Sequence, residues 1–415
     1  RMVFDCGSDI ATDPDLFRPP VTPRPGRDLH DRVAVGETRW IPGLFDPVQR
    51  PASIPPDPPD DRELALFVSH AHVDHDGLLG QVREEVTVHA SPETIRLHEA
   101  LALAGKGPVG RPIRWQPVTE PVTVGDLTVE LVPVDHDVPG ACAILVHTPD
   151  GLVAYTGDLN FHRDAGVRSH RFVERAHRAA VLLSEATTLS SDHETEIPTE
   201  AEILGRFSEV CQRPGLQLVS LYERDLERVQ RWCDAARSHG RTVVWPGAIA
   251  TVLAASGIAE VTTWDRTRPQ TSEHETAVAN AVRAGVGLRQ VSLAEVTAAP
   301  DRFVVQLDPD DPAAMLDLPI GPDTVWVHAQ GEPLGPFMAN WGPFTDWLDH
   351  LRIDTVRAGS SGHASPADLH AMVERIDPDV LFPFHGFRPE RLVGPRRTVL
   401  ASYGVQYHLD GTAAR

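Results

Sequence analysis

The chain has 415 residues, of which 41% are hydrophobic, and it carries a formal net charge of −21. Its length favours two domains, and no apolar run approaches the ~20 residues that span a bilayer, so we expect no membrane partner. The acidic charge argues against broad electrostatic binding along a duplex, although bound cations can still create an anion site inside a cleft.

The four cysteines, Cys6, Cys142, Cys211 and Cys233, form no Cys-x-x-Cys pair. This spacing argues against a disulfide framework and against a cysteine zinc site. The segment Arg1–Asp5 lacks the basic and then apolar character of a secretory signal peptide. We therefore expect a cytoplasmic protein.

The first part of the chain predicts short strands that alternate with helices. Val3–Cys6 is typical of the end of a strand, and we expect an edge strand of the sheet to be missing from the sequence. A proline-rich, irregular connection follows between Pro14 and Pro59. A helix is predicted from Ser91 to Ala104. The predicted strands are Leu64–Val68, Leu127–Val134, Ala143–Thr148, Leu152–Thr156 and Ala180–Ser184.

A second alternation of strands and helices indicates an inserted parallel sheet. Its predicted elements are the strand Leu216–Leu221, the helix Asp225–Ser238, the strand Thr242–Trp245, an acidic stretch near residues 263–300 and the strand Thr324–His328. The first pattern then returns with two helices and the strand Val380–Pro383. We therefore predict that residues 1–195 and 346–415 form one domain around an insert at residues 196–345.

The motif His70-Ala71-His72-Val73-Asp74-His75 directly follows the apolar strand Leu64–Val68. Imidazoles and carboxylates at the end of a strand are nitrogen and oxygen ligands on a rigid support, which a divalent transition metal requires. The alternation along the turn predicts two adjacent ions. His70 and His72 would face one ion, and Asp74 and His75 the other.

Three further candidate ligands, His136, Asp158 and His385, also come just after predicted strands. Active groups commonly gather at the carboxyl ends of strands in layered α/β proteins. Together with the motif they make seven ligands, five histidines and two aspartates. This number suits a dinuclear site in which Asp158 bridges the two ions.

In this order the ligands resemble those of the metallo-β-lactamase fold hydrolases. Further motifs resemble the β-CASP branch and, within it, the ribonuclease J family; they are Asp135–Gly140, Thr156–Leu159, Gln330–Pro333, Ser361–Ala364, Pro383–Gly386, Arg228–Gln230 and Gly240–Val243. The resemblance implies an α/β fold, a metallo-β-lactamase αββα sandwich with an inserted β-CASP α/β domain. It covers most of the chain except the proline-rich connection and the acidic stretch.

The resemblance also implies roles for the ligands. His70, His72 and His136 would hold one Zn²⁺, Asp74, His75 and His385 the second, and Asp158 would bridge them. Mn²⁺ is an alternative metal. Asp5 and Glu185 would be outer carboxylates that orient ligand imidazoles.

The implied catalytic residues are Asp74, Glu185 and His363. His363 would either face the scissile phosphate or protonate the leaving oxygen, and the sequence leaves both roles open. The implied substrate contacts are His363 together with Ser360, Ser361 and Arg224.

By resemblance, the activity is hydrolysis of phosphodiester bonds in single-stranded RNA, with DNA as an alternative, through attack by a metal-bridging hydroxide. A metallohydrolase of a small ester, phosphodiester or lactone is a second hypothesis. The net charge of −21 and two loops that differ from the ribonuclease J pattern, Ser220–Arg224 and Trp245–Ala248, favour it. A non-catalytic binding module is the third, and the complete ligand set argues against it. A homodimer is left open.

Overall fold

The computed structural model describes residues 1–8, 16–17, 21–191, 197–265, 272–331, 335 and 340–414, with only the backbone of residues 265, 272–275 and 283. Glu332 and Pro333 of the predicted Gln330–Pro333 motif lie outside these residues. The chain divides into two compact units. The first unit comprises Arg1–Ile95, Pro108–Thr195 and Gly362–Arg415, and the second comprises Arg96–Gly107 and Glu196–Ser361.

The elements are numbered in chain order. The strands are β1 (Met2–Phe4), β2 (Ala65–Phe67), β3 (Thr87–Ala90), β4 (Trp115–Pro117), β5 (Val122–Val124), β6 (Leu127–Pro133), β7 (Cys142–Thr148), β8 (Gly151–Tyr155), β9 (Val181–Glu185), β10 (Gln217–Ser220), β11 (Thr242–Trp245), β12 (Thr262–Asp265), β13 (Arg289–Ser292), β14 (Phe303–Gln306), β15 (Val325–His328), β16 (Asp354–Arg357), β17 (Val380–Phe384) and β18 (Arg397–Thr398). The helices are α1 (Asp28–Val35), α2 (Val73–Asp76), α3 (Pro92–Leu103), α4 (Val167–Arg175), α5 (Glu200–Cys211), α6 (Leu226–Ser238), α7 (Gly247–Ala255), α8 (Ser272–Arg283), α9 (Leu293–Ala298), α10 (Trp341–Leu351) and α11 (Pro366–Ile376). None of these helices combines the length and the apolarity that a membrane crossing needs.

Two facing sheets form the core of the first unit. One is parallel with the order β1-β2-β3-β4, and the other is mixed with the order β18-β17-β9-β8-β7-β6-β5. Phe67 and Ile144, one from each sheet, belong to the same buried cluster, and the Phe4 and Tyr155 rings stack with their centroids 5.5 Å apart. Leu29 of α1 packs on the other face of the first sheet. The predicted metallo-β-lactamase fold is thereby confirmed.

Parallel pairing aligns the strand ends that carry the candidate ligands. Phe4 pairs with Phe67, and Phe384 pairs with Glu185, so β1 ends beside β2 and β17 ends beside β9. The chain then turns sharply at two non-glycine residues, Asp5 with φ of 59° and His385 with φ of 54°. Left-handed backbone costs energy for such residues and is concentrated at functional sites.

The second unit is built around a seven-stranded parallel sheet with the order β13-β12-β11-β14-β10-β15-β16. Its central strands β10, β14 and β15 are buried on both faces. Helices α5, α6 and α7 contribute side chains to one apolar cluster, and α9 and α10 contribute to another. This arrangement matches the predicted inserted α/β domain. The acidic stretch contains α8 and β13, which the weak apolar pattern did not indicate.

The second unit extends to Ser361, whereas the predicted insert ended at residue 345. β16 pairs in parallel with β15, from Val325 opposite Asp354 to His328 opposite Arg357, and it thus completes the second sheet. Residues 96–107 also group with the second unit rather than with the first. The helical and strand patterns were visible in the sequence, but the sheet that each element joins was not.

We predict that Phe207→Ala will lower the free energy of unfolding by about 3–5 kcal/mol, because it leaves a cavity in a packed core. The Phe207 ring of α5 stacks on Trp232 of α6 at a centroid distance of 4.2 Å, and both side chains are buried. Chemical denaturation of the full chain measures the change. Leu316→Ala, at a side chain that is 56% exposed, is the control and should change the value by less than about 0.5 kcal/mol. A loss below about 1 kcal/mol in Phe207→Ala would contradict the packing.

Candidate metal centre

The motif His70–His75 follows β2, and the loop after β1 crosses directly over it. The Cys6 N–H donates to the His75 carbonyl at 2.8 Å. A Cβ on Gly7 would lie 1.6 Å from the carbonyl oxygen of Asp74, so only glycine permits this close approach. The motif is therefore held by backbone contacts on both sides.

Three imidazoles converge with one carboxylate in the first group of candidate ligands. Nδ1 of His72 lies 3.1 Å from Nε2 of His70 and 3.3 Å from Nε2 of His136. Oδ2 of Asp158 lies 3.5 Å from Nε2 of His70 and 4.0 Å from Nε2 of His136. Nitrogen ligands about 2.0–2.1 Å from a tetrahedral zinc ion are about 3.3 Å apart, so the spacing suits such an ion.

The second group of candidate ligands contains two imidazoles and two carboxylates. Nε2 of His75 lies 3.1 Å from Nε2 of His385 and 3.2 Å from Oδ2 of Asp158. Oδ2 of Asp74 lies 3.0 Å from Nε2 of His385. In each group, one ligand atom per residue can be chosen so that all lie within 4.8 Å of one another. The structure thus brings together all seven predicted ligands.

Asp158 belongs to both groups and is 1% exposed. Neither of its carboxylate oxygens has a hydrogen-bond partner within the described residues. Burying an ionised carboxylate costs free energy unless positive charges lie beside it. The surrounding imidazoles provide positive charge only when they are protonated. A divalent cation on each side would compensate the carboxylate directly, so Asp158 fits a bridging role.

Four of the candidate imidazoles form a hydrogen bond through their other nitrogen, and the other nitrogen of His72 lies beside a carboxylate. The pairs are His70 Nδ1 with Ser69 Oγ at 2.9 Å, His75 Nδ1 with Asp5 Oδ2 at 2.7 Å, His136 Nδ1 with the Gly362 carbonyl at 2.7 Å, His385 Nδ1 with Thr187 Oγ1 at 2.8 Å, and His72 Nε2 with Asp137 Oδ1 at 3.2 Å. Metal-binding histidines characteristically have such partners, which fix the ring and its tautomer. The residues therefore fit divalent metal binding.

Burial and neighbouring charge set the protonation of these groups in opposite directions. Burial lowers the pKa of His136 to about 4 and also holds the pKa of His70 well below its usual value, which keeps both imidazoles neutral. Burial alone would raise the pKa of Asp158, but the positive charges of His385 and His75 outweigh it and hold that pKa well below its usual range. His70, His136 and Asp158 are therefore in the protonation states that bind a metal, whereas His75 and His385 must each lose a proton to do so.

His363 lies beside both ligand groups. Its ring centroid is 5.5 Å from that of His136 and 5.8 Å from that of His385. Its Nδ1 donates to Oε2 of the fully buried Glu185 at 2.9 Å. Burial alone would lower the pKa of His363, but the charges of Glu185 and Asp158 outweigh it and raise the pKa to about 10.

This contact changes the role predicted for Glu185. The sequence assigned it to a ligand imidazole, but it orients His363, and its other oxygen accepts from the Leu159 N–H at 3.0 Å. Asp5 does contact a ligand, since it accepts from Nδ1 of His75. The two outer carboxylates therefore have different tasks.

The other predicted substrate contacts, Ser360, Ser361 and Arg224, belong to the second unit. The Ser360 hydroxyl is buried and donates to the Pro198 carbonyl at 2.8 Å. Arg224 is buried and Ser361 is half-buried. Their roles in substrate binding stay predictions.

Outer partners of the candidate ligands other than Asp5 were missed in the sequence, and Asp137 and Thr187 are examples. Asp137 follows the ligand His136 directly and lies against His72. Thr187 bonds to both Nδ1 and the carbonyl of His385. The acidic residue beside His136 was a usable signal, whereas nothing local marked Thr187, which is 198 residues from His385.

We predict that Asp5→Asn will weaken metal affinity by about 10–100-fold without unfolding the chain. Asp5 accepts from the Ser69 N–H at 2.7 Å, the Ser69 hydroxyl at 2.8 Å, Nδ1 of His75 and the Tyr155 hydroxyl. The asparagine side chain would lack the negative charge that accepts from Nδ1 of His75 and so fixes the tautomer of that ring. Competition with a chromogenic zinc chelator measures the affinity, with Asp46→Asn as the control at a distant helix N-cap. Unchanged affinity in Asp5→Asn would remove Asp5 from the site.

Comparison with known proteins relates this chain to a known superfamily. Residues 40–206 match the model of the Beta-lactamase superfamily domain. Ribonuclease J of Pyrococcus abyssi is 25% identical over 367 residues, which cover 79% of this chain and 76% of that protein. Residues 40–206 thus form a β-lactamase superfamily domain, and most of the chain is similar to ribonuclease J. Its relatives make it a hydrolytic enzyme, as the ligand motifs predict.

Two other comparisons show how much of the chain and of its relatives the similarity covers. Ribonuclease J 2 of Streptococcus pyogenes is 26% identical over 340 residues, 77% of this chain but 59% of that protein. A crystal structure of a protein of unknown function from Enterococcus faecalis matches the whole chain and 93% of its own length, with a TM-score of 0.77 and 24% identity. This last likeness supports the fold alone.

Proposed function

We propose that the chain is a phosphodiesterase that cleaves single-stranded RNA, with two Zn²⁺ ions as cofactors and Mn²⁺ as an alternative. The observation that carries the proposal is the pair of candidate ligand groups that have Asp158 in common, because a carboxylate shared in this way can hold two ions side by side. The ribonuclease J relatives support RNA as the substrate class.

When bound, the two ions would supply the charge that activates a water molecule and stabilises the phosphoryl oxygens. The chain itself contributes a further positive charge on His363, whose ring lies beside those of His136 and His385. The imidazolium of His363 is oriented by Glu185 through Nδ1. It can donate to a phosphoryl oxygen or give its proton to the leaving oxygen.

Acidic side chains after β10 and β14 favour a second candidate, the hydrolysis of a small ester, phosphodiester or lactone. Burial raises the pKa of Asp308, and the negative charges of Asp310 and Glu223 add to that rise. This edge of the second sheet therefore disfavours a terminal phosphate. The net charge of −21 acts in the same direction on long polyanions.

RNAs labelled at one end and bearing a 5′-monophosphate, triphosphate or hydroxyl group test the proposal. We expect cleavage with Zn²⁺ or Mn²⁺ by the wild-type chain and none by Asp74→Ala. Release of mononucleotides would indicate an exonuclease, and a ladder of internal products an endonuclease. Intact RNA together with turnover of bis(p-nitrophenyl) phosphate or a lactone would refute the RNA substrate and favour the second candidate.

A further inference from the structure

An arginine stripe, made of Arg168, Arg171 and Arg175, runs along α4 in the first unit. At 3.6 residues per turn these positions fall within an arc of about 60°, and all three side chains are exposed. Glu174 is the only acidic residue of the helix. A stripe of one sign is unusual on a chain with a net charge of −21.

The arginine stripe keeps most of its charge available. Across the part of the chain that the structure describes, neither Arg168 nor Arg171 forms an ion pair, and only Arg175 does so, with Glu130. Exposed arginines elsewhere do find carboxylates, such as Arg237 with Asp234 at 2.8 Å. Two guanidinium groups on α4 are thus free to bind an anion.

The start of α4 is fixed to the candidate metal centre. Oδ2 of Asp135 accepts from the N–H groups of Arg168 at 2.8 Å and Ser169 at 3.1 Å, and the Asp135 N–H donates to the Ser169 hydroxyl at 3.0 Å. Asp135 directly precedes the ligand His136. The arginine stripe therefore begins at the loop that carries a metal ligand and leads away from it.

A second set of side chains links the loop after Asp158 to the same helix. The Phe161 ring lies 5.0 Å from the ring of His170 between centroids, and a guanidinium nitrogen of Arg375 lies 2.9 Å from Nδ1 of His170. Phe161 comes three residues after Asp158. An aromatic ring and a further exposed arginine thus lie beside the arginine stripe, a combination that suits bases and phosphates together.

We propose that the arginine stripe binds the phosphate backbone of single-stranded nucleic acid and guides it to the metal centre, an inference that rests on the proposed function. The rise of about 1.5 Å per residue separates the three arginines by about 4.5 and 6 Å along α4. These steps allow neighbouring phosphates of a stretched strand to meet successive guanidinium groups. The arrangement explains how an acidic protein can bind a polyanion through a local surface.

The test compares two triple variants of the full chain. Arg168→Gln, Arg171→Gln and Arg175→Gln remove the stripe, while Arg213→Gln, Arg289→Gln and Arg302→Gln remove the same charge from exposed positions of the second unit. Fluorescence anisotropy in EDTA measures binding of a labelled 20-nucleotide RNA over a range of salt concentrations. We expect the slope of log K against log salt to flatten by about 2 in the stripe variant, since each contact contributes about 0.7, and not in the control variant.

Equal slopes in the two triple variants would overturn the inference, whether both match the wild type or both are flattened. If the stripe variant does not fold, Arg171→Gln alone should flatten the slope by about 0.7, and no change would be equally decisive. Turnover of bis(p-nitrophenyl) phosphate is measured in the same proteins and should be unaffected by the substitutions. Absence of that turnover in the wild type would count against the proposed function and leave the binding result to decide the inference.

Discussion

Asp158→Asn will lower kcat/KM for phosphodiester hydrolysis by at least about 10³-fold, which corresponds to about 4 kcal/mol of transition-state stabilisation. Asp158 is the only residue common to both ligand groups, and it is buried among four ligand imidazoles. The asparagine keeps the shape but removes the charge between the two groups. We therefore expect the metal content to fall from two ions per chain to one or none.

Metal analysis by mass spectrometry and hydrolysis of bis(p-nitrophenyl) phosphate measure the two effects of Asp158→Asn. Asp150→Asn, in the exposed turn between β7 and β8, is the matched control and should keep the metals and the rate. Two tightly bound ions in Asp158→Asn would show that the carboxylate does not bridge them. Loss of the fold would be recognised by circular dichroism.

His363→Ala will keep both metals and lower kcat by about 10²–10⁴-fold, the range expected when a positioned acid is removed. His363 has one nitrogen bonded to Glu185 and belongs to neither of the two groups formed by the seven candidate ligands. Its loss should therefore affect the reaction more than the binding of metal. Glu185→Gln, which weakens the hold on Nδ1, should have a smaller effect in the same direction.

Metal content, kcat and KM are measured for His363→Ala and for His147→Ala, a control at a side chain that is 48% exposed. His363 also lies within a third group with Asp158, Glu185 and His385 that could hold an ion. Loss of one metal in His363→Ala would therefore reassign His363 as a ligand. A normal rate with both metals retained would remove it from the mechanism.

The sequence was sufficient to single out the seven residues that the structure brings together, because each follows an apolar strand, and the family resemblance supplied their division into two groups. Outer partners were harder to predict. Asp5 and His75 are 70 residues apart, and Thr187 and His385 are 198 apart. Only the pairing of β1 with β2 and of β17 with β9 brings these residues together, and a strand pattern does not reveal its partner.

The limits of the second unit show the same difficulty. Residues 354–357 form an edge strand next to β15, but only Val356 of the four is apolar. A polar edge strand has no alternation that reveals its sheet. The motif suggested that Ser360 contacts a phosphate, and the structure shows that its hydroxyl donates to the Pro198 carbonyl.

The order of the strands also bears on when the enzyme becomes active during synthesis. β17 pairs with β9 although the whole second unit lies between them in the sequence, and His75 meets His385 across a separation of 310 residues. A nascent chain on the ribosome therefore lacks a candidate ligand of the second group until His385, beyond the whole second unit, has been synthesised. We expect hydrolytic activity to appear only after the second unit and β17 have both emerged from the ribosome.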